Sequence, residues 1–121
     1  MKEEVEKYLN QNRAMNFNNL LFYYIKRSKL KNSEVYKRVG VDRRVFSKIK
    51  CYNYIPRKNI IVRLCLSLKL NKEETNNLLK KAGFCLNESD VDLVISYFLE
   101  NNIHDIDIIN DYLYTNYNTT I

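Results

Sequence analysis

Apolar residues recur along this chain at helical intervals in one stretch after another, which predicts a succession of short helices. The firmest case is Phe17, Leu20, Leu21, Tyr24 and Ile25, at i, i+3, i+4, i+7 and i+8, which predicts a helix over 16–28. Before it, Val5, Tyr8 and Leu9 share one side of residues 2–12, with acids early as the helix dipole prefers, and read as a short helix or arm. After it, Ile60, Ile61, Leu64, Cys65 and Leu68 make a continuous apolar face. The next helix is capped by Asn71, turns Leu78, Leu79 and Ala82 inward and stops at Gly83. Residues 87–90 open another helix over 91–99, with Leu93, Val94, Tyr97 and Phe98 among its apolar residues, and Asn101-Asn102 breaks it. A last helix, near 105–114, carries Ile106, Ile109, Leu113 and Tyr112 on one side and acids on the other; 115–121 reads as a loose tail.

Between these lies the stretch that carries chemistry, NSEVYKRVGVDRRVFSKIKC over 32–51. Ser33 can cap a short helix that runs through Val35 and Val39 to Gly40, where glycine takes the left-handed conformation without Cβ strain. Asp42 can cap a second helix. Val45, Phe46 and Ile49 fall on one face of it, and Arg43, Arg44, Ser47 and Lys48 on the other. Such a helix can pack by its oily face and press a cationic, hydrogen-bonding ridge into a nucleic-acid groove.

This stretch resembles the helix-turn-helix of lambda-repressor-like (Cro-type) DNA-binding domains. Val35, Val39, Val41, Phe46 and Ile49 occupy the fourth, eighth, tenth, fifteenth and eighteenth places of the twenty-residue pattern, and Gly40 the ninth. Tyr36 departs from it, standing where a small residue lets the two helices cross closely; a tyrosine there pushes the helices apart or redirects its ring. Residues 60–84 look like the family's fourth and fifth helices, so the resemblance covers roughly 16–84. It implies an all-α bundle in which 16–28 packs across the next two helices. In such a bundle the loop Tyr52-Asn53-Tyr54 often runs along the phosphate backbone, although its two aromatics read equally as a cover for the core edge, and two copies usually bind two half-sites as a homodimer.

Charge sharpens the picture. The net charge is +6, but residues 26–58 hold a local net of +10, whereas 85–121 contain no Lys or Arg and seven acids. A cationic block centred on 32–51 is the footprint of a phosphate-binding surface. Arg43, Arg44 and Ser47 are the base-reading candidates. Ser33, Lys48, Lys50, Tyr52, Asn53, Arg57 and Lys58 are the backbone candidates, with Pro56 beginning the helix that carries the last two. Lys26, Arg27, Lys29 and Lys31 read equally as a phosphate-contacting cluster or a solvated connector. The acidic segment is too rich in Ile, Leu, Phe and Tyr to be a disordered tail. It either completes the same core or pairs with a copy of itself.

The chain thus divides into an N-terminal helix or arm (1–15), a DNA-binding domain (16–84) and an acidic helical hairpin (85–121). Catalysis finds no footing: His104 is the only histidine and has no Cys nearby, and two glycines, at 40 and 83, cannot build a phosphate loop. Cys51, Cys65 and Cys85 suit neither a disulfide framework nor a zinc site. No cofactor or metal is expected. With no apolar run of membrane-spanning length and a charged start, neither a membrane partner nor a secretory signal is expected, and a cytoplasmic, nucleoid-associated location is. The reading is a transcriptional regulator of repressor type that binds double-stranded DNA. The alternatives are an adaptor that uses the acidic hairpin to hold a protein partner, and an RNA-binding protein.

Overall fold

A computed structural model describes residues 1–12 and 15–121, so part of the predicted 1–15 segment lies outside the described residues. The order is α1 (Lys2–Asn12), α2 (Phe17–Ser28), α3 (Asn32–Lys37), α4 (Arg43–Tyr52), α5 (Lys58–Ser67), α6 (Lys72–Lys81), α7 (Asp90–Glu100) and α8 (Ile106–Tyr117), with no strand among the described residues. The protein is all-α. No helix among the described residues is long and apolar enough to cross a membrane.

α5 is the most deeply buried helix. Ile61, Leu64, Cys65 and Leu66 are buried on several sides of it, so it is apolar nearly all round rather than striped. α3 and α6 pack against it, α2 packs on α6, and α7 joins α6 to α8. Leu21 and Ile25 of α2, Val35 of α3, Ile49 of α4, Leu78 and Leu79 of α6, Ile95 and Leu99 of α7, and Ile109 and Leu113 of α8 all belong to one core. Each such side chain removed from water contributes roughly 1.5–3 kcal/mol before ordering costs. The acidic hairpin therefore completes the core that α2 to α6 begin. α1 is different: Val5, Tyr8 and Leu9 stay exposed, so it is an arm on the outside of that core.

Burial pushes the Cys65 thiol up to about 12, beside the buried hydroxyl of Thr75. Cys51 and Cys85 are exposed, and all three cysteines are free.

Several local expectations change. Ser33 does not cap α3: Lys31 is the cap residue, and the Glu34 carboxylate accepts its N–H at 3.1 Å. Pro56 does not begin α5, because Arg57 precedes the first helical residue; Pro56 is buried one step earlier. The apolar residues named for α7 divide between core and solvent. Phe98 is buried and Val94 partly so, but Leu93 and Tyr97 face solvent, while Asp92, Ile95 and Leu99 turn inward. On α8, Tyr112 is exposed while Ile109 and Leu113 are buried. Nor is 115–121 loose. α8 runs to Tyr117, and Ile121 is buried, its N–H bonded to the Asn110 side chain at 2.8 Å. Arg63 donates to the Ile121 carbonyl oxygen from Nε and Nη2, at 3.0 and 2.5 Å.

Candidate nucleic-acid interface

The candidate surface is built from the turn before α4. Gly40, at φ +67, ends the preceding helical turn: its N–H bonds to the Lys37 carbonyl and that of Val41 to the Tyr36 carbonyl, at 3.1 and 2.9 Å. This pair of bonds satisfies two carbonyls at the end of a helix and reverses the chain within a few residues. Asp42 then accepts the Arg44 N–H at 2.6 Å as the cap of α4. That hydrogen bond, with help from the Arg44 charge, holds the Asp42 carboxyl below the usual carboxylate range.

The inner face of α4 is fixed by packing. Phe46 and Ile49 are buried. The Phe46 ring stands edge-on to Phe22 at 5.7 Å between centroids, and at 5.0 Å from Tyr36 with the planes 32° apart. Tyr36, the departure from the family pattern, is thus itself buried, with its ring laid against Phe46. One contact was not legible in the sequence: Asn18 of α2 donates its side-chain amide to the Ile49 carbonyl. Asn18 sits in a polar pair, Asn18-Asn19, that gives no sign of a partner 31 residues away.

The outer face follows from that anchoring. Arg43, Arg44, Ser47, Lys48 and Lys50 are all exposed. Arg43, Ser47 and Lys50 lie in one row at i, i+4 and i+7, and Arg44 and Lys48 in the row beside it, along a helix about 15 Å long. α4 is longer than the expected 43–50, so Tyr52 is its last residue rather than part of the loop. Tyr52 is exposed, Asn53 takes the left-handed conformation at φ 55, and Tyr54 lies 5.7 Å beneath the Lys48 ammonium. Ser33 is half-buried in the first turn of α3.

Not every cation of the block is at liberty. Lys58 is bound to the buried Asp92 at 2.5 Å and so faces α7 rather than open solvent. Arg27 is held 2.6 Å from Glu74 of α6 and lies over the Tyr24 ring. The Glu74 carboxyl is lowered chiefly by that Arg27 hydrogen bond, and the guanidinium is raised by the same contact. Arg38 donates to the Ser67 carbonyl at 3.3 Å. Arg43, Lys48, Lys50 and Arg57 have no ion-pair partner among the described residues, and Arg44 makes only a long contact to Asp42, at 3.5 Å. The structure gathers Arg43, Arg44, Ser47, Lys48 and Lys50 on one helix face, puts Tyr52 and Asn53 at its end, and withdraws Lys58.

Arg63 also belongs to this arrangement and had no sequence signal. Its Nη1 reaches the Gly40 carbonyl at 3.5 Å while its other nitrogens hold Ile121, so one guanidinium braces the turn that aims α4. His104, partly buried, sits 2.9 Å from the Leu70 carbonyl through Nε2, a structural contact at the entry to α8.

Comparison with protein-family models, with curated proteins and with solved structures finds no match to this chain.

Proposed function

We propose that this protein is a sequence-specific, double-stranded-DNA-binding transcriptional regulator of the lambda-repressor-like helix-turn-helix class, in which α3 and α4 form the helix-turn-helix and α4 reads the major groove. The single observation that carries the reading is the two-faced character of α4. Phe46 and Ile49 lock one side into the core, and the other presents Arg43, Arg44, Ser47 and Lys48 together to solvent.

Arginine supplies the paired donors that match guanine's O6 and N7, and Ser47 can bond a base edge or a phosphate. Lys48, Lys50 and Arg57 set the register on the backbone, with Tyr52 and Asn53 as neutral donors at the end of the helix. Binding to an inverted repeat by two copies belongs to the same reading, as does action on the nucleoid as a repressor.

The test is selection from a random duplex pool by wild type and by the Arg43→Ala/Arg44→Ala double variant, with structured RNA run alongside. The expected outcome is a defined duplex motif, lost in the variant, with half-sites about 10 bp apart. Each lost base contact costs ~1–3 kcal/mol, whereas Lys48→Ala weakens all sequences alike and lowers the salt slope by about one. Uniform, salt-sensitive retention of every sequence, or preference for RNA, refutes the reading.

A further inference from the structure

The surface of the α7–α8 hairpin carries an aromatic groove whose floor is the core residue Phe98 and whose walls are exposed. Leu93, Tyr97, Phe98, Tyr112 and Tyr117 line it together with Val94, and it encloses about 410 Å³. The rings run in sequence: Tyr97 to Phe98 at 5.6 Å, Phe98 to Tyr112 at 5.8 Å, Tyr112 to Tyr117 at 6.4 Å. Tyr97 is 60 % exposed, Leu93 52 % and Tyr112 44 %, so their outer faces remain in water. Ile108 and Tyr114 extend the exposed apolar surface along α8. Exposed apolar patches of this extent, rich in tyrosine, are what protein interfaces are made from.

Charge decides the occupant. The segment 85–121 contains no cation. Asp92 and Glu100 are answered by Lys58 and Lys72 from other helices, but Glu88, Asp90, Asp105, Asp107 and Asp111 have no ion-pair partner among the described residues. Asp90 stands on the groove itself. A second copy meeting this face with its own hairpin would bring like charges together, which disfavours that pairing. The arm α1 has an exposed apolar side, but with Glu3, Glu4 and Glu6 against Lys2 and Lys7 it too brings net negative charge.

We infer that the α7–α8 groove docks a basic amphipathic helix of a partner protein, whose apolar residues at i, i+3, i+4 and i+7 sit on Leu93, Tyr97 and Tyr112 while its Lys or Arg residues meet Asp90 and the negative field of a hairpin that holds no cation. Helix-in-groove recognition uses an apolar floor for anchors at that spacing, and complementary charge selects which helix binds. The surface is separate from the outer face of α4, so the two activities can be lost independently.

The probe is a synthetic amphipathic peptide of leucine and lysine, about 18 residues and so ~27 Å long as a helix. Its controls are a scrambled version and one with glutamate for each lysine. Binding is followed by anisotropy of the labelled peptide. The lysine peptide should bind at least tenfold more tightly than either control, and more weakly as salt rises. Leu93→Lys and Tyr97→Ser, both at exposed positions, should weaken it at least tenfold with the thermal melt unchanged and duplex-DNA retention intact. Absence of binding at about 1 mM peptide overturns the inference, as does equal binding of all three peptides or indifference to both substitutions. A concentration-dependent dimer in sedimentation that Leu93→Lys abolishes also overturns it, and assigns the groove to a second copy.

Discussion

Replacing Phe46 with alanine removes the side chain on which the placement of α4 depends. The ring is buried at the junction of three helices, in contact with Phe22 of α2 and Tyr36 of α3. Core Phe→Ala substitutions cost ~3–5 kcal/mol, the spread reflecting how far the site can collapse. Here Phe22 is only partly buried and has room to lean inward, which places the cost near the low end, about 3 kcal/mol. With an unfolding entropy of ~2.1 cal/mol/K per residue, that cost lowers the Tm of a 121-residue chain by about 12 °C. Phe46→Leu keeps most of the volume and should lose about 1 kcal/mol, or ~4 °C. The assay is a pair of thermal melts followed by circular dichroism, with urea unfolding to check that the denaturant slope is unchanged. Arg43→Ala is the control, expected within about 0.5 kcal/mol of wild type because it faces solvent. A Phe46→Ala melt within 2–3 °C of wild type (roughly 0.5–0.8 kcal/mol) would mean that α4 is not anchored through this ring.

Three further outcomes test other parts of the structure. The Glu74 carboxyl is held low by Arg27, so its stabilising contribution is present above its unfolded pKa, about 4.3, and is lost as pH falls through the lower folded value. Glu74→Gln should therefore show a shallower loss of urea midpoint as pH falls from about 5, just above that reference value, to about 3, below it, and curves that stay parallel contradict the pairing. Burial of the Cys65 thiol predicts that a thiol reagent at pH 8 modifies Cys51 and Cys85 readily but Cys65 only on unfolding, as mass spectrometry of the labelled peptides would read. At Gly40 a Cβ meets nothing closer than 3.8 Å, so Gly40→Ala should cost ~1–2 kcal/mol through the positive φ alone. Gly40→Asn should cost less, since asparagine tolerates that region; equal losses would point to crowding instead.

The helices and the candidate face were legible because they rest on local signals. Val45, Phe46 and Ile49 fix which side of α4 turns inward, and Asp42 and Gly40 mark its approach by chemistry visible within a few residues. What was not legible depends on partners distant in sequence. Hydropathy argues against turning Asp92 inward, yet Lys58 meets it from 34 residues away and turns α7 so that Leu93 and Tyr97 face out. The order of 118–121 comes from Asn110 and Arg63, neither of which belongs to an apolar pattern. Lys58 read as a free cation for the same reason. Ser33 looked like a cap because its residue type fits one, but the capping interaction came from Glu34 reaching back to Lys31.

Arg63 joins two parts of the chain that are synthesised well apart in time. Its partner Ile121 lies 58 residues further along the chain. At a synthesis rate of 5–20 residues per second, roughly 3–12 s pass between the two being joined to the nascent polypeptide. For most of that interval α5 is complete, but the side chains of α7 and α8 that close over the core have not all arrived. The growing chain therefore leaves apolar surface uncovered for seconds, and the Arg63 bridge between the turn ahead of α4 and Ile121 can form only after residue 121 has been added.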